Sequence, residues 1–189
     1  TTTTWDQKDH KYTEVTTPVE PGYTADKKSV GGDTVTPEDP NRSYEVVYTP
    51  NGSIVPADPN GNPIPGTKPV PYETDPKDPT KVVDGKVPEV PGWTPKTGNP
   101  GDSVTPKDPT KDTKEHYDHT KTPGDTEVKG KQTVTYVYKG KDGKVVKTKT
   151  KTVEQDATFT GKTTKDEVTG ITTTTWDQKD HKYTEVTTP

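Results

Sequence analysis

Two histidines and two acidic residues lie together in the short sequence EHYDH. His116 and His119 are three positions apart, with Glu115 and Asp118 beside them. Imidazole and carboxylate groups bind zinc in proteins, so this segment could present metal ligands. No third ligand follows at a spacing that can be read from sequence, and the same letters suit a polar strand end or a linker. We therefore predict no metal site here.

Closely spaced carboxylates recur in the Pro-rich part of the chain, in DPNGNP at residues 58–63 and in DPKDPT and PKDPTKD further on. Calcium binds clustered carboxylate and carbonyl oxygens, so structural calcium is one interpretation. Asp-Pro and Asn-Gly are equally the ordinary letters of turns, and the spacing does not follow an EF-hand loop. The sequence favours turns, and we predict no cofactor.

The arrangements that enzymes use do not occur in this sequence. It has no Gly-rich phosphate loop, no nucleophile context around Ser, no Cys, and little apolar material with which to build a pocket. His10 and His181 occupy the same place in two copies of DQKDHK, which is typical of a solvated turn. We predict a protein that is not an enzyme, with no catalytic and no cofactor-binding residue.

Aromatic residues among polar neighbours could bind sugars, which stack on rings flanked by hydrogen-bonding side chains. The candidates sit among Thr, Asp and Lys; they are Trp5 and Trp176, Tyr12 and Tyr183, and Tyr23. The chain has no Leu, no Met and one Phe, so these rings are also the best material for a core. We predict that both Trp residues and Tyr23 are core residues, and we assign no ligand-binding residue.

The composition predicts thin β-sheet modules with little helix. Only 21% of residues are hydrophobic and the mean hydropathy is -1.20, while 21 Pro and 16 Gly divide the chain into short pieces. The abundant Thr, Val and Tyr suit pleated, half-buried strands. A net charge of -4 without a basic cluster argues against nucleic acid as a partner, and no apolar run approaches the ~20 residues of a membrane span. We also find no signal peptide pattern at the N-terminus.

The first eighteen residues, TTTTWDQKDHKYTEVTTP, return unchanged as residues 172–189. Identity that includes Trp and His exceeds what compositional bias produces, so we interpret the chain as one period of a tandem array plus the start of the next copy. The period of 171 residues is far longer than the roughly 20–50 residues of solenoid repeats. Each period is therefore expected to hold whole domains.

A shorter motif occurs twice within this period. PGYT at residues 21–24 matches PGWT at residues 91–94, and DTVTPEDP or DSVTPKDP follows about ten residues later. We predict a turn that points one aromatic ring into a small core, then a short strand and a Pro-bounded loop. Residues 50–90 between the two motifs are dense in Pro, and composition leaves a stiff linker and a very small packed module open.

Two hairpins are predicted in the second half of the chain. Val134, Tyr136 and Tyr138 alternate with other residues as strand residues do, an Asp-Gly turn lies in GKDGK at residues 140–144, and VVKTKTKTV is expected to return as the partner strand. Ile171 is expected to open a further strand, ITTTTW. DQKDH would then form the turn and KYTEVTTP the returning strand.

Several segments of this sequence together resemble the mucus-binding repeat (Mub-type, MucBP-related) of lactobacillal cell-surface adhesins. The resemblance lies in QTVTYVYKGKDGK, in ATFTGKTTKDEVTG with the TTTTW segment after it, and in VPGWTP with SVTPKDP. It implies an elongated array of small β-grasp, ubiquitin-like modules joined by Pro-rich segments. It also implies an extracellular protein anchored to a Gram-positive cell wall, with host mucin glycoproteins or their glycans as partners.

The resemblance also divides the chain into three parts. Residues 1–50 are the back half of a MucBP-like module from the preceding repeat copy, residues 51–120 are the small Pro-rich companion module, and residues 121–189 are the front half of the next MucBP-like module. Residues 172–189 duplicate residues 1–18 at that boundary. Two complementary half-modules predict head-to-tail self-association, in which the identical segments compete for one strand position.

Two functions follow from this interpretation. The first is a repeat unit of an adhesin that binds mucin glycoproteins through weak contacts, with avidity supplied by copy number. The alternative is a passive structural stalk, a Pro-stiffened spacer that projects another binding domain from the cell wall.

Overall fold

A computed structural model describes all residues from Thr1 to Pro189, and they form two compact units, Thr1–Asp118 and His119–Pro189. Strands dominate both units, and the only helical segment is a single 3-10 turn at Lys147–Lys149. The prediction of a mostly β protein with little helix is confirmed. Nowhere does the chain form a helix with the length and apolar character that a membrane crossing requires.

The strands of the first unit are short, because Pro and Gly interrupt the chain every few residues. They are β1 (His10–Lys11), β2 (Glu14–Thr16), β3 (Tyr23–Ala25), β4 (Ser29–Gly31), β5 (Thr34–Val35), β6 (Tyr48–Pro50), β7 (Ser53–Ala57), β8 (Val70–Pro71), β9 (Gly85–Lys86), β10 (Trp93–Pro95), β11 (Ser103–Val104) and β12 (Thr113–His119), whose last residue begins the second unit.

One four-stranded sheet organises the first unit. Its order is β10-β12-β7-β8, in which β7 runs parallel to β12 and antiparallel to β8. Four two-stranded ladders complete the unit: β1 with β5, β2 with β4, β3 with β6, and β9 with β11. The β3–β6 ladder joins the part of the chain that carries β7 and β8, since the Ala25 N–H donates to the Pro79 carbonyl at 2.8 Å.

The core of the first unit is built around Tyr117, which is fully buried together with Ile54. Ile64, Val87 and Val90 form one cluster with Tyr117, and Trp93 and Val104 pack against it. The Tyr117 hydroxyl donates to the Pro88 carbonyl at 2.5 Å, so its one polar group is satisfied. Residues 50–90 supply much of this core, so this segment is packed and is not a linker.

The two Pro-Gly-aromatic motifs form the same turn. The Tyr23 N–H donates to the Glu20 carbonyl at 3.1 Å, and the Trp93 N–H donates to the Val90 carbonyl at 3.0 Å. The glycine of each motif has a positive φ, 86° in the first and 83° in the second, as position i+2 of a type II turn requires. The predicted turn is confirmed at both sites, but only the Trp93 ring reaches a core.

The second unit is a sheet of three antiparallel strands, in the order β13-β14-β15. Its strands are β13 (Lys121–Tyr136), β14 (Lys151–Asp166) and β15 (Thr172–Trp176). β13 and β14 pair over their whole length, from Lys121 opposite Asp166 to Tyr136 opposite Lys151. β13 begins before the predicted strand and includes Pro123, which is tolerated because β13 lies at the sheet edge.

The predicted first hairpin is present, but its return strand starts later than expected. The turn at residues 140–144 closes with a bond of 2.9 Å from the Gly140 N–H to the Lys144 carbonyl. Residues 145–150 then form a single bridge and the 3-10 turn, and pairing resumes at Lys151. The prediction that all of VVKTKTKTV is strand is therefore wrong, because this loop separates the turn from the long ladder.

The predicted second hairpin is only half correct. Residues 172–176 form β15, but they pair with β14 and not with KYTEVTTP, which forms no strand. A side chain holds that returning segment instead: the Gln155 amide donates to the Thr184 carbonyl at 2.7 Å and accepts from the Thr184 N–H at 2.8 Å. The prediction of a strand there is wrong, because this segment is held by the Gln155 side chain and forms no backbone ladder with β15.

Candidate functional site

Three exposed aromatic rings lie in the two copies of the eighteen-residue segment and just after the first. Trp5 is 60% exposed, Trp176 43% and Tyr23 41%. The prediction that these rings form the core is wrong. The main core cluster of the first unit is built instead from Ile64, Val87, Val90 and Tyr117, with Trp93 and Val104 packed against it.

Trp5 lines an open cleft of about 560 Å³ in the first unit, a volume within the range of ligand pockets. One wall consists of Trp5, Asp6, Gln7, Asp9, His10 and Tyr12. The facing wall consists of Val35, Thr36, Pro37 and Pro40. We call this the Trp5 cleft.

The β1–β5 ladder holds the two walls together. His10 lies opposite Val35, and the Tyr12 N–H donates to the Asp33 carbonyl at 2.8 Å. The Tyr12 hydroxyl donates to the Pro40 carbonyl at 2.8 Å, so Tyr12 is held by both its backbone and its side chain. The His10 and Tyr12 rings stand on the same side of the extended chain, edge to face at 5.1 Å between centroids.

A tight turn shapes the facing wall. The Asp39 N–H donates to the Thr36 carbonyl at 3.1 Å, with Pro37 at the second position of the turn, where its fixed φ is favourable. Val35 beneath this turn is buried, whereas the polar residues of the Trp5 wall are exposed. The cleft therefore has an apolar side made rigid by proline and a polar side open to solvent.

This combination of groups suits a sugar. The apolar C–H face of a pyranose can stack on the Trp5 indole, which presents a large flat apolar surface. Hydroxyl groups at the edge of the sugar can then bond to the carboxylates of Asp6 and Asp9 and to the Gln7 amide, which accept and donate hydrogen bonds. All four side chains are exposed and line the same cleft.

The equivalent residues of the second copy, within residues 172–189, have different surroundings. Trp176 lies in β15 opposite Gly161, so closely that a β-carbon at Gly161 would be 3.0 Å from the indole ring. Asp177 accepts a hydrogen bond of 2.6 Å from the Thr160 hydroxyl. Only the ring pair is preserved, since His181 and Tyr183 meet edge to face at 4.9 Å as their counterparts do.

The structure separates the two histidines of EHYDH. His116 Nδ1 lies 3.3 Å from the Asp58 carbonyl, whereas His119 Nδ1 lies 2.8 Å from Asp166 Oδ2. Positions three apart on a strand point to opposite faces, so the two rings do not converge. No group of three or more metal-binding side chains occurs among the 189 residues.

The Asp-Pro segments form turns in which each carboxylate accepts nearby hydrogen bonds. Asp58 Oδ1 accepts the N–H groups of Asn60 and Asn62, both at 2.9 Å. In the two DPT sequences, Asp78 is bonded by the hydroxyl and N–H of Thr80, and Asp108 by the same groups of Thr110. These bonds favour the ionised form and lower the pKa of Asp78 and of Asp108.

Asp166 is the most heavily bonded carboxylate of the second unit. Its Oδ2 lies 2.7 Å from Lys121 Nζ and 2.8 Å from His119 Nδ1, and its Oδ1 accepts the N–H groups of Val168 at 2.9 Å and Thr169 at 3.1 Å. The hydrogen bond from Lys121, followed by that from His119, holds the pKa of this carboxyl well below its usual range. The cluster fixes the turn that leads into β15.

The sequence profile of the Muc B2-like domain matches residues 1–52 and 121–189, which together make up well over half of the chain. The chain belongs to the Muc B2-like domain family. Muc B2-like domains are mucus-binding-type surface repeats, a binding family and not an enzyme family, and they belong to extracellular surface proteins. The Trp5 cleft lies entirely within the first matched Muc B2-like segment. No curated protein matches the chain in sequence.

Proposed function

We propose that this chain is a tandem-repeat unit of a bacterial cell-surface adhesin that binds mucin glycoproteins or their glycans through multivalent weak contacts. The observation that carries the proposal is the exposed Trp5 ring at a cleft that also presents two carboxylates and an amide. Membership in the Muc B2-like domain family supports it. The protein would be anchored to the wall of a Gram-positive cell.

The openness of the Trp5 cleft determines the kind of binding expected. A ligand would be stacked on one ring and bonded to exposed side chains, so water competes for every contact and a single site is weak. Tethered copies act at high effective concentration, so an array of such sites can hold a mucin that offers many similar glycans. Modest affinity for one repeat and strong retention by several is the expected pattern.

The proposal includes a relationship of the first unit to the β-grasp fold. Its support is the sheet order β10-β12-β7-β8, in which the first and last long strands, β7 and β12, are parallel neighbours at the centre. That arrangement is the one found in β-grasp sheets. In the first unit, Pro-rich segments without helix stand where ubiquitin-like proteins carry a helix.

A mucin pull-down with two matched variants tests the proposal. Trp5→Ala should lower retention on immobilised mucin by about tenfold, since truncating an aromatic anchor typically costs more than about 1 kcal/mol. Trp176→Ala changes the same residue in the same eighteen letters, outside the cleft, and should leave retention unchanged. Circular dichroism of both variants checks that they remain folded.

Glycosidase-treated mucin is the ligand control in this experiment. Retention that survives removal of the glycans, or that falls equally in both Trp variants, would contradict the glycan-binding role of the cleft. Retention no greater than that of a neutral β-protein would favour the second candidate, the passive stalk. The sixteen-residue ribbon of β13 and β14 is the observation that favours a stalk, because it is long and has few buried side chains.

The proposal also includes head-to-tail self-association of the two half-modules, residues 1–50 and 121–189. Residues 181–183 keep the ring geometry of His10 and Tyr12, at 4.9 Å against 5.1 Å, yet have no strand partner. In the first copy His10 and Lys11 pair with β5, and Glu14–Thr16 just after them pair with β4. The corresponding strands of a second molecule therefore fit this segment.

Light scattering after size-exclusion chromatography tests the self-association. The apparent mass should rise with protein concentration, because heterologous head-to-tail contacts do not close after two copies. A chain lacking residues 181–189 should stay monomeric, since it has lost the segment that pairs. A constant monomer mass for the full chain at all concentrations would overturn this part of the proposal.

A further inference from the structure

The Trp5 cleft carries a negative charge. Its lining includes the acidic side chains of Asp6 and Asp9 but neither Lys nor Arg. The lining also contains the His10 imidazole, which stands edge to face with Tyr12. A ligand in the cleft therefore meets two carboxylates and no fixed positive charge.

The single arginine of the chain, Arg42, belongs to a separate groove. Arg42 lies 3.3 Å from Asp39 Oδ2, and its guanidinium also bonds to the Asn41 carbonyl at 2.6 Å. It lines a neighbouring groove that shares Tyr12 with the Trp5 cleft, and it does not line the Trp5 cleft itself. Arg42 therefore does not offset the two carboxylates where a stacked sugar would lie.

Mucin glycans contain both neutral and acidic sugars, and these differ in what they offer to a carboxylate. Neutral sugars and N-acetylated amino sugars present hydroxyl and amide N–H donors, which bond well to an ionised acceptor. Sialic acid and sulfated sugars present an anion, which two carboxylates at close range repel. Both classes of sugar could stack on Trp5 equally well. The charge of the cleft is therefore what distinguishes between them.

We propose that the Trp5 cleft selects uncharged sugar units and excludes sialylated and sulfated ones, with Asp6 and Asp9 as the residues that determine this specificity. The inference rests on the proposed glycan-binding function and adds the ligand class to it. Its structural basis is the position of both carboxylates on the exposed wall that also carries the Trp5 ring.

Binding to two forms of one mucin tests the selectivity. Immobilised mucin is used as isolated, rich in acidic termini, and after removal of sialic acid and sulfate. We expect the wild-type chain to be retained about three- to tenfold better on the neutral form, as like-charge contacts near a surface would produce. Raising the salt concentration should narrow this difference, because exposed charges are screened beyond about 8–10 Å.

A double variant and its matched control assign the effect to residues. Asp6→Asn with Asp9→Asn keeps the size of both side chains and should raise retention on the acidic mucin until the two forms bind nearly equally. Asp177→Asn with Asp180→Asn makes the same changes in the second copy, outside the cleft. That control should keep the preference of the wild type.

The outcomes distinguish this inference from the function on which it rests. Equal retention of both mucin forms by the wild type, or stronger retention of the acidic form, overturns the selectivity while leaving glycan binding intact. A preference that persists in the Asp6 and Asp9 double variant overturns the residue assignment. No retention of either form overturns the proposed function and the selectivity with it.

Discussion

Residues 1–18 and residues 172–189 have identical sequences and form different strands. In the first copy, His10–Lys11 pairs with β5 and Glu14–Thr16 pairs with β4, whereas residues 1–5 (TTTTW) form no strand. In the second copy, TTTTW pairs with β14, and the residues after it are unpaired. The difference shows that pairing in a Thr-rich chain is decided by the segment that lies alongside, because each half of the eighteen letters can form a strand.

The largest expected effect concerns the turn that brings the second copy to β14. Asp166→Asn keeps the shape of the side chain but removes the charge that Lys121 and His119 contact. We expect a larger fall in the thermal unfolding midpoint than for any of the Gly or Tyr variants below, with loss of amide protection at Thr172–Trp176. Asp156→Asn is the control, since that carboxylate is exposed and lies 3.9 Å from Lys131.

The same carboxylate predicts a pH dependence. The pKa of Asp166 is lower in the folded state than in the unfolded chain, so its stabilisation is complete above the ordinary value of about 4 and is lost as the pH falls through the folded-state value. The stability difference between the wild type and Asp166→Asn should therefore shrink as the pH falls below about 4. Urea titrations at several pH values measure it, and a constant difference would contradict the assignment.

Gly161 provides a direct way to break the pairing of the second copy. A β-carbon there would lie 2.9 Å from the Thr175 carbonyl oxygen and 3.0 Å from the Trp176 ring. We expect Gly161→Ala to destabilise the second unit by about 1–3 kcal/mol and to release β15. In Gly130→Ala the new methyl group meets the movable Tyr183 hydroxyl at 3.2 Å, so this variant should cost much less in the same urea titration.

The pairing of the first copy depends on Gly31, which lies opposite Glu14 with a φ of 87°. Gly31→Ala places a side chain in the left-handed region, at a cost of about 1–2 kcal/mol. Hydrogen exchange should show faster exchange at the Tyr12 and Thr17 amides and no change in β15. Gly143→Ala has a similar φ of 75° in the second unit and should leave both of those amides protected.

The smallest expected effect on stability comes from removing one tyrosine hydroxyl, from Tyr12 in the first copy or from Tyr183 in the second. The Tyr12 hydroxyl donates to the Pro40 carbonyl at 2.8 Å, whereas the Tyr183 hydroxyl donates no hydrogen bond. Tyr12→Phe should therefore cost about 0.5 kcal/mol, the low end for a partly exposed bond, and Tyr183→Phe should cost nothing measurable. Equal effects in chemical denaturation would mean that the two copies are more alike than the structure indicates.

Turns were the most predictable feature of this fold, because their chemistry is local. Pro-Gly before an aromatic residue produced type II turns at Gly22 and Gly92, and the Asp-Gly pair produced the turn at Gly143. Strand pairing was less predictable. The sequence showed that TTTTW could be a strand, but only the presence of β14 decides that residues 172–176 are one and residues 1–5 are not.

The candidate site was missed because burial depends on the whole fold. Counting large apolar residues suggested that every Trp was needed in the core, yet Ile54, Tyr117 and a few Val residues fill it. One local signal could have indicated the exposure of Trp5. It is flanked by Thr on one side and by Asp-Gln-Lys-Asp on the other, so no apolar neighbour accompanies it into a core.

The Asp166 cluster has a consequence for a chain under tension. β13 starts at Lys121 and β14 ends at Asp166, so the first residue of β13 and the last residue of β14 are paired at one end of the ribbon. At the same end, the Glu167 N–H donates to the Thr120 carbonyl at 3.0 Å. A pull between residues 119 and 167 would open the ribbon one pair at a time from that end. The contacts of Asp166 with Lys121 and His119 would then bear the force first. These contacts must break before the backbone pairs of the ladder can separate.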